Sequence, residues 1–90
     1  MAMAILKLKI MPKSPDTDLG KIKIEIEERA KRFDAKVHSS EEQPIAFGLK
    51  ALIVTLAWPE EKSTEGGVEE FLHIEEISSI DVIDYRRAFG

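Results

Sequence analysis

Apolar and polar side chains alternate from the first residues of the chain. Ala4, Leu6, Leu8 and Ile10 occupy every second position, and lysines occupy two of the positions between them. Successive side chains of a strand point to opposite faces of a sheet, so this alternation predicts a first strand over residues 4–11 that is buried on one face.

A helical period replaces the alternation after two prolines. Asp16 or Asp18 can accept hydrogen bonds from the free backbone amides at the start of a helix. At about 100° per residue, five apolar residues then fall within an arc of roughly 60°, while most of the charged residues lie outside it. These five are Leu19, Ile22, Ile26, Ala30 and Phe33. The pattern predicts an amphipathic helix with one packed face and one solvated face.

The middle of the chain predicts two strands of different character. Residues 35–42 are mostly polar, with Val37 as their one strongly apolar member, so we expect an edge strand whose charges discourage further pairing. Residues 46–58 are rich in β-forming residues and are apolar on both alternating sets. This second segment predicts a central strand that ends at Pro59.

The last third of the chain predicts a loop, a short helix and a final strand. Residues 60–67 are charged and contain glycine, which is typical of a loop. Residues 68–75 repeat apolar positions at helical spacing, with acidic residues in the first turn as the helix dipole favours. Residues 77–85 are again typical of a strand, which ends at Arg86 and Arg87.

The order strand, helix, strand, strand, helix, strand predicts an α+β fold of the ferredoxin-like βαββαβ type. In this sandwich a four-stranded antiparallel sheet carries both helices on one face, joined by right-handed crossovers. The other sheet face is left uncovered, and the two-sided central strand predicts an exposed apolar patch or a dimer surface there. We expect residues 1–90 to form a single domain.

Composition narrows the classes of function. Ninety residues, 43% hydrophobic and 33% charged, suit one thin two-layer core with shallow sites. Cysteine is absent, which excludes disulfides, thiolate metal sites and cysteine nucleophiles. The net charge of −4 has the wrong sign for counterion-driven binding to nucleic acid and favours a basic or neutral partner. Because no apolar run approaches the roughly 20 residues that span a bilayer, we expect a cytoplasmic protein.

Motifs for catalysis, metal binding or phosphate binding are not found in the sequence. The two histidines have no histidine or cysteine neighbour at ligand spacing, and no serine lies in a nucleophile-elbow turn. Asp16, Asp18 and Glu27 match three places of a calcium-loop template, but Lys21 stands where that loop needs glycine, so helix capping explains these acids better. Glycine-rich phosphate loops are absent as well. We expect neither enzyme activity nor a cofactor.

Phe47 lies between Pro44 and the flexible Gly48, where its ring can fold back into the core or project as an anchor. For an arbitrary protein the core position is the more typical of the two. The RNA-recognition module of the same fold needs several aromatic residues on its central strands, whereas residues 46–50 offer Phe47 alone. We therefore expect no direct contact with nucleic acid.

Two arginines close the last predicted strand. By strand alternation, Arg86 and Arg87 point to opposite faces of the sheet. Taken alone, they are typical of a solvated pair that neutralises Asp81 or Asp84. Their position at a strand end therefore does not by itself indicate a binding site.

Three segments together resemble the archaeal elongation factor 1-beta family. They are the central block PIAFGLKAL at residues 44–52, the opening IMP with SPD within residues 10–16, and the close IDVIDYRR at residues 80–87. The resemblance covers nearly the whole chain and implies the ferredoxin-like fold. It also implies a guanine-nucleotide exchange factor that promotes GDP release from elongation factor 1-alpha during translation elongation.

The resemblance further implies the residues that bind this partner in its GDP-bound and nucleotide-free states. In relatives of the family a loop phenylalanine wedges against the GTPase, and by the motif Phe47 takes that place, with Gly48 and Lys50 beside it. A near-terminal lysine of those relatives reaches the magnesium and phosphate region. The corresponding position of this chain is Arg87, where arginine replaces the lysine. Arg86 can share the contact with the magnesium and phosphate region. The alternative is a small regulatory or oligomerisation domain of the same fold that binds a small ligand between subunits.

Overall fold

The computed structural model describes residues 2–87, so Met1 and residues 88–90 lie outside the described part of the chain. Its elements follow the predicted order. The strands are β1 (Met3–Pro12), β2 (Lys36–Pro44), β3 (Lys50–Pro59) and β4 (Ile77–Arg87), and the helices are α1 (Leu19–Ala30) and α2 (Thr64–Leu72). Within these residues neither helix is long and apolar enough to cross a membrane.

The strands form one antiparallel sheet in the order β2-β3-β1-β4. The two central strands are β1 and β3, with Leu6 directly opposite Leu56. Both edge strands contain shifts in register at extra residues, which are His38 in β2 and Ser78 and Ile83 in β4. This topology confirms the predicted ferredoxin-like α+β sandwich.

α1 begins where Asp18 caps it. The Asp18 Oδ1 accepts hydrogen bonds from the backbone amides of Gly20 at 2.9 Å and Lys21 at 3.4 Å, so Asp18 fills the role that the sequence left open between two aspartates. The helix ends at Ala30, earlier than the apolar stripe predicted, and a 3₁₀ turn continues it to Phe33. One apolar stripe of α1 therefore faces the sheet.

The core lies between the two helices and the inner face of the sheet. Its fully buried side chains come from alternate positions of β1 and β3 and from both helices, and the largest are Trp58, Phe71, Leu6, Leu8, Ile10, Ile22 and Ile26. Trp58 stacks on Phe33 with ring centroids 5.2 Å apart and meets Phe71 edge-on at 6.3 Å. Its Nε1 donates a hydrogen bond to the carbonyl oxygen of Lys62 at 3.1 Å.

α2 begins four residues earlier than the sequence predicts. The Ser63 hydroxyl caps it by accepting a hydrogen bond from the Gly66 amide at 3.0 Å. Gly67 is inside the helix although glycine is typical of a loop, because a Cβ atom there would lie 2.2 Å from the indole of Trp58. Gly67, one of the two glycines that suggested a loop, instead lets the helix approach the tryptophan.

The apolar residues of β3 on the outer sheet face are buried, although the sequence predicts that they are exposed there. Ala51 and Ile53 point to that face, but their exposed fractions are only 0% and 5%. Lys9 of β1 and Glu41 of β2 lie directly opposite Ile53 on the two neighbouring strands. Long polar side chains of this kind cover apolar surface with their methylene stems. Ile83 of β4, which lines a shallow pocket with Ile53, stays 48% exposed.

Candidate functional site

A tight turn joins β2 to β3 at one end of the sheet. The Leu49 amide donates a hydrogen bond to the Ala46 carbonyl oxygen at 3.1 Å, and the Ile45 amide donates one to the Leu49 carbonyl oxygen at 2.8 Å. The two central residues both have left-handed backbones, with φ of 59° at Phe47 and 77° at Gly48. These features define a mirror-image β-turn of type I′, which matches the twist of the two strands that it connects.

Phe47 carries two costs in this turn. A left-handed backbone crowds the Cβ atom of any residue other than glycine and costs about 1–2 kcal/mol. The side chain is also 96% exposed, so its ring contributes nothing to the core. Such a side chain does not serve the stability of the fold, and strained residues of this kind concentrate at functional sites.

Gly48 and Lys50 complete the hairpin tip, by which we mean residues 44–50. A Cβ atom at Gly48 would meet nothing within 4 Å, so its left-handed backbone, and not close packing, is what favours glycine there. The Lys50 ammonium lies 3.8 Å from the Glu42 carboxylate, and both side chains are more than half exposed. The tip therefore presents an apolar ring with a cation beside it.

A polar cleft of about 260 Å³ adjoins the hairpin tip. It separates the tip from the loop that joins β1 to α1. The residues that line it are Pro12, Pro15, Thr17, Asp18, Leu19, Glu42, Gly48 and Lys50. The cleft leaves the tip free on this side, so Phe47 stands clear of the helices.

The two arginines lie at the other end of the sheet. Arg86 pairs with Ile5 and Arg87 with Ala4 along β1, so their side chains point to opposite faces, as the alternation predicts. The Arg86 Nε lies 2.9 Å from Asp84 Oδ2. Both guanidinium side chains are exposed, at 76% and 82%. We call Arg86 and Arg87 the arginine end.

Glu60 is the partner of Arg87, which the sequence did not reveal. Its Oε1 lies 2.9 Å from the Arg87 Nε, and its side chain is only 22% exposed. The sequence suggested Asp81 or Asp84 as partners because they are close in the chain. Glu60 follows β3, and only the shared pairing of β3 and β4 with the start of β1 brings it to Arg87.

The hairpin tip and the arginine end are far apart. Ala4, near the start of β1, lies opposite both Trp58 and Arg87, whereas Ile10, near its end, lies opposite Leu52 next to the tip. A strand of ten residues spans about 30 Å. The Cα atoms extend 41 Å along the long axis of the molecule. The sequence-predicted residues therefore form two groups that cannot act on one small ligand.

Known families and relatives match a range of the chain that includes both the hairpin tip and the arginine end. The family described as the EF-1 guanine nucleotide exchange domain matches residues 5–87, a range that includes the hairpin tip and the arginine end. Elongation factor 1-beta of Methanothermobacter thermautotrophicus is 41% identical over 88 residues, which cover 97% of this chain and 98% of that protein. Elongation factor 1-beta of Methanosarcina barkeri is 46% identical over 83 residues, covering 90% and 92%.

Two solved structures share the architecture. The C-terminal domain of the MgtC protein from Mycobacterium tuberculosis has a TM-score of 0.61 at 12% identity, covering 98% of this chain and 88% of that one. The ACT domain from GTP pyrophosphokinase of Chlorobium tepidum has a TM-score of 0.60 at 8% identity, covering 88% and 96%. At such low identity the likeness is one of fold alone.

Proposed function

Because this chain belongs to the elongation factor 1-beta family and contains its guanine nucleotide exchange domain, we propose that it promotes GDP release from elongation factor 1-alpha during translation elongation. Exchange breaks no covalent bond, and the chain is an exchange factor and not a catalytic enzyme. We expect the reaction to take place in the cytoplasm, where ribosomes consume the loaded GTPase.

Exchange depends on contacts that differ between two states of the GTPase. A protein that binds the nucleotide-free GTPase more tightly than the GDP-bound GTPase must weaken GDP binding by the same factor, because the two equilibria are linked. Both states are therefore partners of this chain. Contacts that only the emptied GTPase can complete are the ones that accelerate GDP release.

The exposed ring and the left-handed backbone of Phe47 are the observation that supports this proposal best. Its ring is almost fully hydrated on a strained turn, which is costly for the free protein. Insertion of such a ring into a pocket of a partner typically contributes about 2 kcal/mol or more to binding. We assign Phe47 as the anchor of the complex, with Gly48 holding the turn and Lys50 adding a positive charge beside it.

The arginine end provides a second contact. A guanidinium group is permanently charged and can bind phosphate in a bidentate manner or oppose a magnesium ion electrostatically. Asp84 and Glu60 hold the two guanidinium groups at 2.9 Å in the free chain. We assign Arg87, assisted by Arg86, to the nucleotide-binding region of the GTPase, where an added positive charge disfavours the retention of magnesium with GDP.

Release of a fluorescent GDP analogue from purified elongation factor 1-alpha tests the proposal. We expect the chain to accelerate release and Phe47→Ala to reduce that acceleration about tenfold or more, since the ring is the anchor. Ile24→Ala is the matched control, because Ile24 is an exposed apolar residue of α1, at 59%, and lies outside both groups. We expect Ile24→Ala to exchange like the wild type.

Two results would contradict the proposal. If the wild-type chain leaves the release rate unchanged, exchange is not its function. If Phe47→Ala retains full exchange, the ring is not the anchor. The regulatory alternative with a ligand between subunits has less support, because the relatives over nearly the full chain are elongation factors, and an ACT domain at 8% identity shares the fold alone.

A further inference from the structure

A second apolar surface lies in a groove between α2 and the edge strand β4. The groove has a volume of about 340 Å³. Its lining residues are Thr64, Glu65, Val68, Glu69 and Val82. Val82 is 52% exposed although it points to the side of the sheet that carries the helices, where it pairs with the buried Leu8 of β1. Tyr85 lies further along the same side of β4 and is 46% exposed. We call this surface the α2–β4 groove.

The lengths of the two elements explain why the groove is open. The nine residues of α2 span about 14 Å. The eleven residues of β4 span about 36 Å. The helix is therefore too short to cover the whole strand. Ile77, at the start of β4, is buried, whereas Val82 and Tyr85 further along it stay about half exposed.

The rim of the groove is acidic. Glu65 and Glu69 are four residues apart on α2, so their carboxylates are neighbours on one face of the helix and repel each other. Among residues 2–87, neither carboxylate lies within 4.0 Å of a cationic group. An apolar floor beneath two carboxylates is complementary to an apolar side chain flanked by lysine or arginine.

The groove is continuous with the arginine end. Val82, Tyr85 and Arg87 lie on the same side of β4, the side that carries the helices, so a protein that contacts Arg87 on this side also reaches Tyr85 and Val82. Exposed ion pairs alone hold an interface weakly, whereas interfaces are anchored by apolar side chains that lose water. The arginine end offers charges, and the groove beside it offers the apolar surface.

We propose that the α2–β4 groove binds a basic segment of elongation factor 1-alpha, with one apolar side chain against Val68 and Val82 and a lysine or arginine against Glu65 and Glu69. This inference rests on the proposed function and adds a third contact to it. The groove holds the GTPase at the arginine end, so that Arg87 is presented to the nucleotide. It strengthens the complex without itself disturbing GDP.

Val82→Arg tests the apolar floor of the groove. The arginine side chain would fill the groove and form ion pairs with the carboxylates of Glu65 and Glu69. We expect the half-saturating concentration of the exchange factor to rise about tenfold, with the maximal rate of GDP release kept within about twofold. Arg87→Ala should instead lower the maximal rate. Ile24→Arg on α1 is the matched control, and we expect it to behave like the wild type in both quantities.

Reversal of charge tests the acidic rim. We expect Glu65→Lys with Glu69→Lys to weaken binding to the nucleotide-free GTPase and to reduce its dependence on salt. Glu27→Lys, on the solvated face of α1, is the control and should leave binding unchanged. The fluorescence of Trp58 verifies that each variant is folded, and Val82→Ser replaces Val82→Arg if the larger side chain unfolds the chain.

The outcomes separate this inference from the proposed function. If Val82→Arg and the double charge reversal bind the nucleotide-free GTPase like the wild type, the groove is not a contact. If the wild type binds the GTPase but does not accelerate GDP release, the proposed exchange function is wrong. Binding measurements on the variants still decide whether the groove is a contact. If ultracentrifugation finds a wild-type dimer that Val82→Arg dissociates, a second copy of this chain is the occupant and the proposal is wrong.

Discussion

Phe47 occupies the first central position of a turn in which asparagine and glycine are the usual residues. The following residue, Gly48, satisfies the left-handed backbone at no steric cost, but Phe47 does not. Its ring also finds no neighbours to compensate for the strain. The anchor role that we propose for Phe47 gives a reason why the sequence accepts this cost in stability.

Phe47→Asn should separate these two requirements. Asparagine adopts the left-handed backbone readily, so we expect the free energy of unfolding to rise by about 1 kcal/mol while exchange falls as in Phe47→Ala. Urea unfolding followed by the fluorescence of the single tryptophan measures the first quantity. Phe47→Leu keeps the strain and should leave stability unchanged. A less stable Phe47→Asn would contradict the interpretation of the turn.

The sequence could not predict the state of Phe47 from its pattern. An apolar residue next to a glycine is more typical of the core, and only the resemblance of the surrounding block to a family favoured an exposed ring. The pairing of Arg87 with Glu60 was equally hidden, because it depends on which strands share β1 as a neighbour. Side-chain roles that depend on register are not visible in local spacing.

At the scale of elements, α2 shows how one close contact determines where a helix can pack. Gly67 brings the helix backbone against the indole of Trp58, and no residue with a Cβ atom can occupy that position without displacing the ring. The neighbouring Gly66 has no such contact: an added Cβ would lie 3.6 Å from Ser63 of the same helix start and 3.9 Å from the ring of Phe33. Close packing therefore explains the glycine at position 67 but not the one at position 66.

Alanine at each of these glycines should have opposite effects. We expect Gly67→Ala to lower the free energy of unfolding by about 1–3 kcal/mol, since it overpacks the core beneath α2. Gly66→Ala should raise it by up to about 1 kcal/mol, because alanine favours the helix and the cap from Ser63 is kept. Thermal unfolding of both variants measures the difference. Equal destabilisation would contradict the packing argument.

The long periodic elements were predictable, and their ends were less so. The alternation of β1 and the apolar stripe of α1 both correspond to buried faces in the structure. β3 begins at Lys50 and not at Ala46, because residues 46–49 are apolar enough to resemble strand while the hydrogen bonds of the turn govern their backbone. α2 was predicted over residues 68–75 but spans Thr64–Leu72, since Gly67 has a packing role that the sequence does not reveal.

At the scale of the whole molecule, the hairpin tip and the arginine end are separated by the length of the sheet. The sheet is a rigid spacer whose central strands pair along nearly their entire length. A GTPase that touches both ends must present two surfaces at that separation. The exchange factor can then act on the nucleotide region while it is anchored elsewhere.

This separation predicts additive effects on binding. We expect the losses of binding free energy in Phe47→Ala and Arg87→Ala to add within about 0.5 kcal/mol in the double variant, because the two residues share no neighbours. A double-mutant cycle on binding to the nucleotide-free GTPase measures the coupling. A coupling above about 1 kcal/mol would mean that the two ends do not contact the GTPase independently.

The architecture as a whole followed from the sequence because the order of elements permits few topologies. The burial of the outer sheet face did not follow from the sequence, because the apolar residues of β3 were expected to be exposed there. Neighbouring strands supply long charged side chains opposite Ile53, and these become neighbours only once the sheet is assembled. Patterning within one strand does not report what the adjacent strands place over it.

The steps in register at His38 and Ile83 lie on the two outermost strands. A strand of another molecule that pairs with either edge of the sheet cannot form a continuous ladder of backbone hydrogen bonds, because these residues interrupt it. Recruitment of further copies by backbone pairing is thereby discouraged. We therefore expect this chain to stay separate from its own copies, free to meet the GTPase and to leave it once the nucleotide has been replaced.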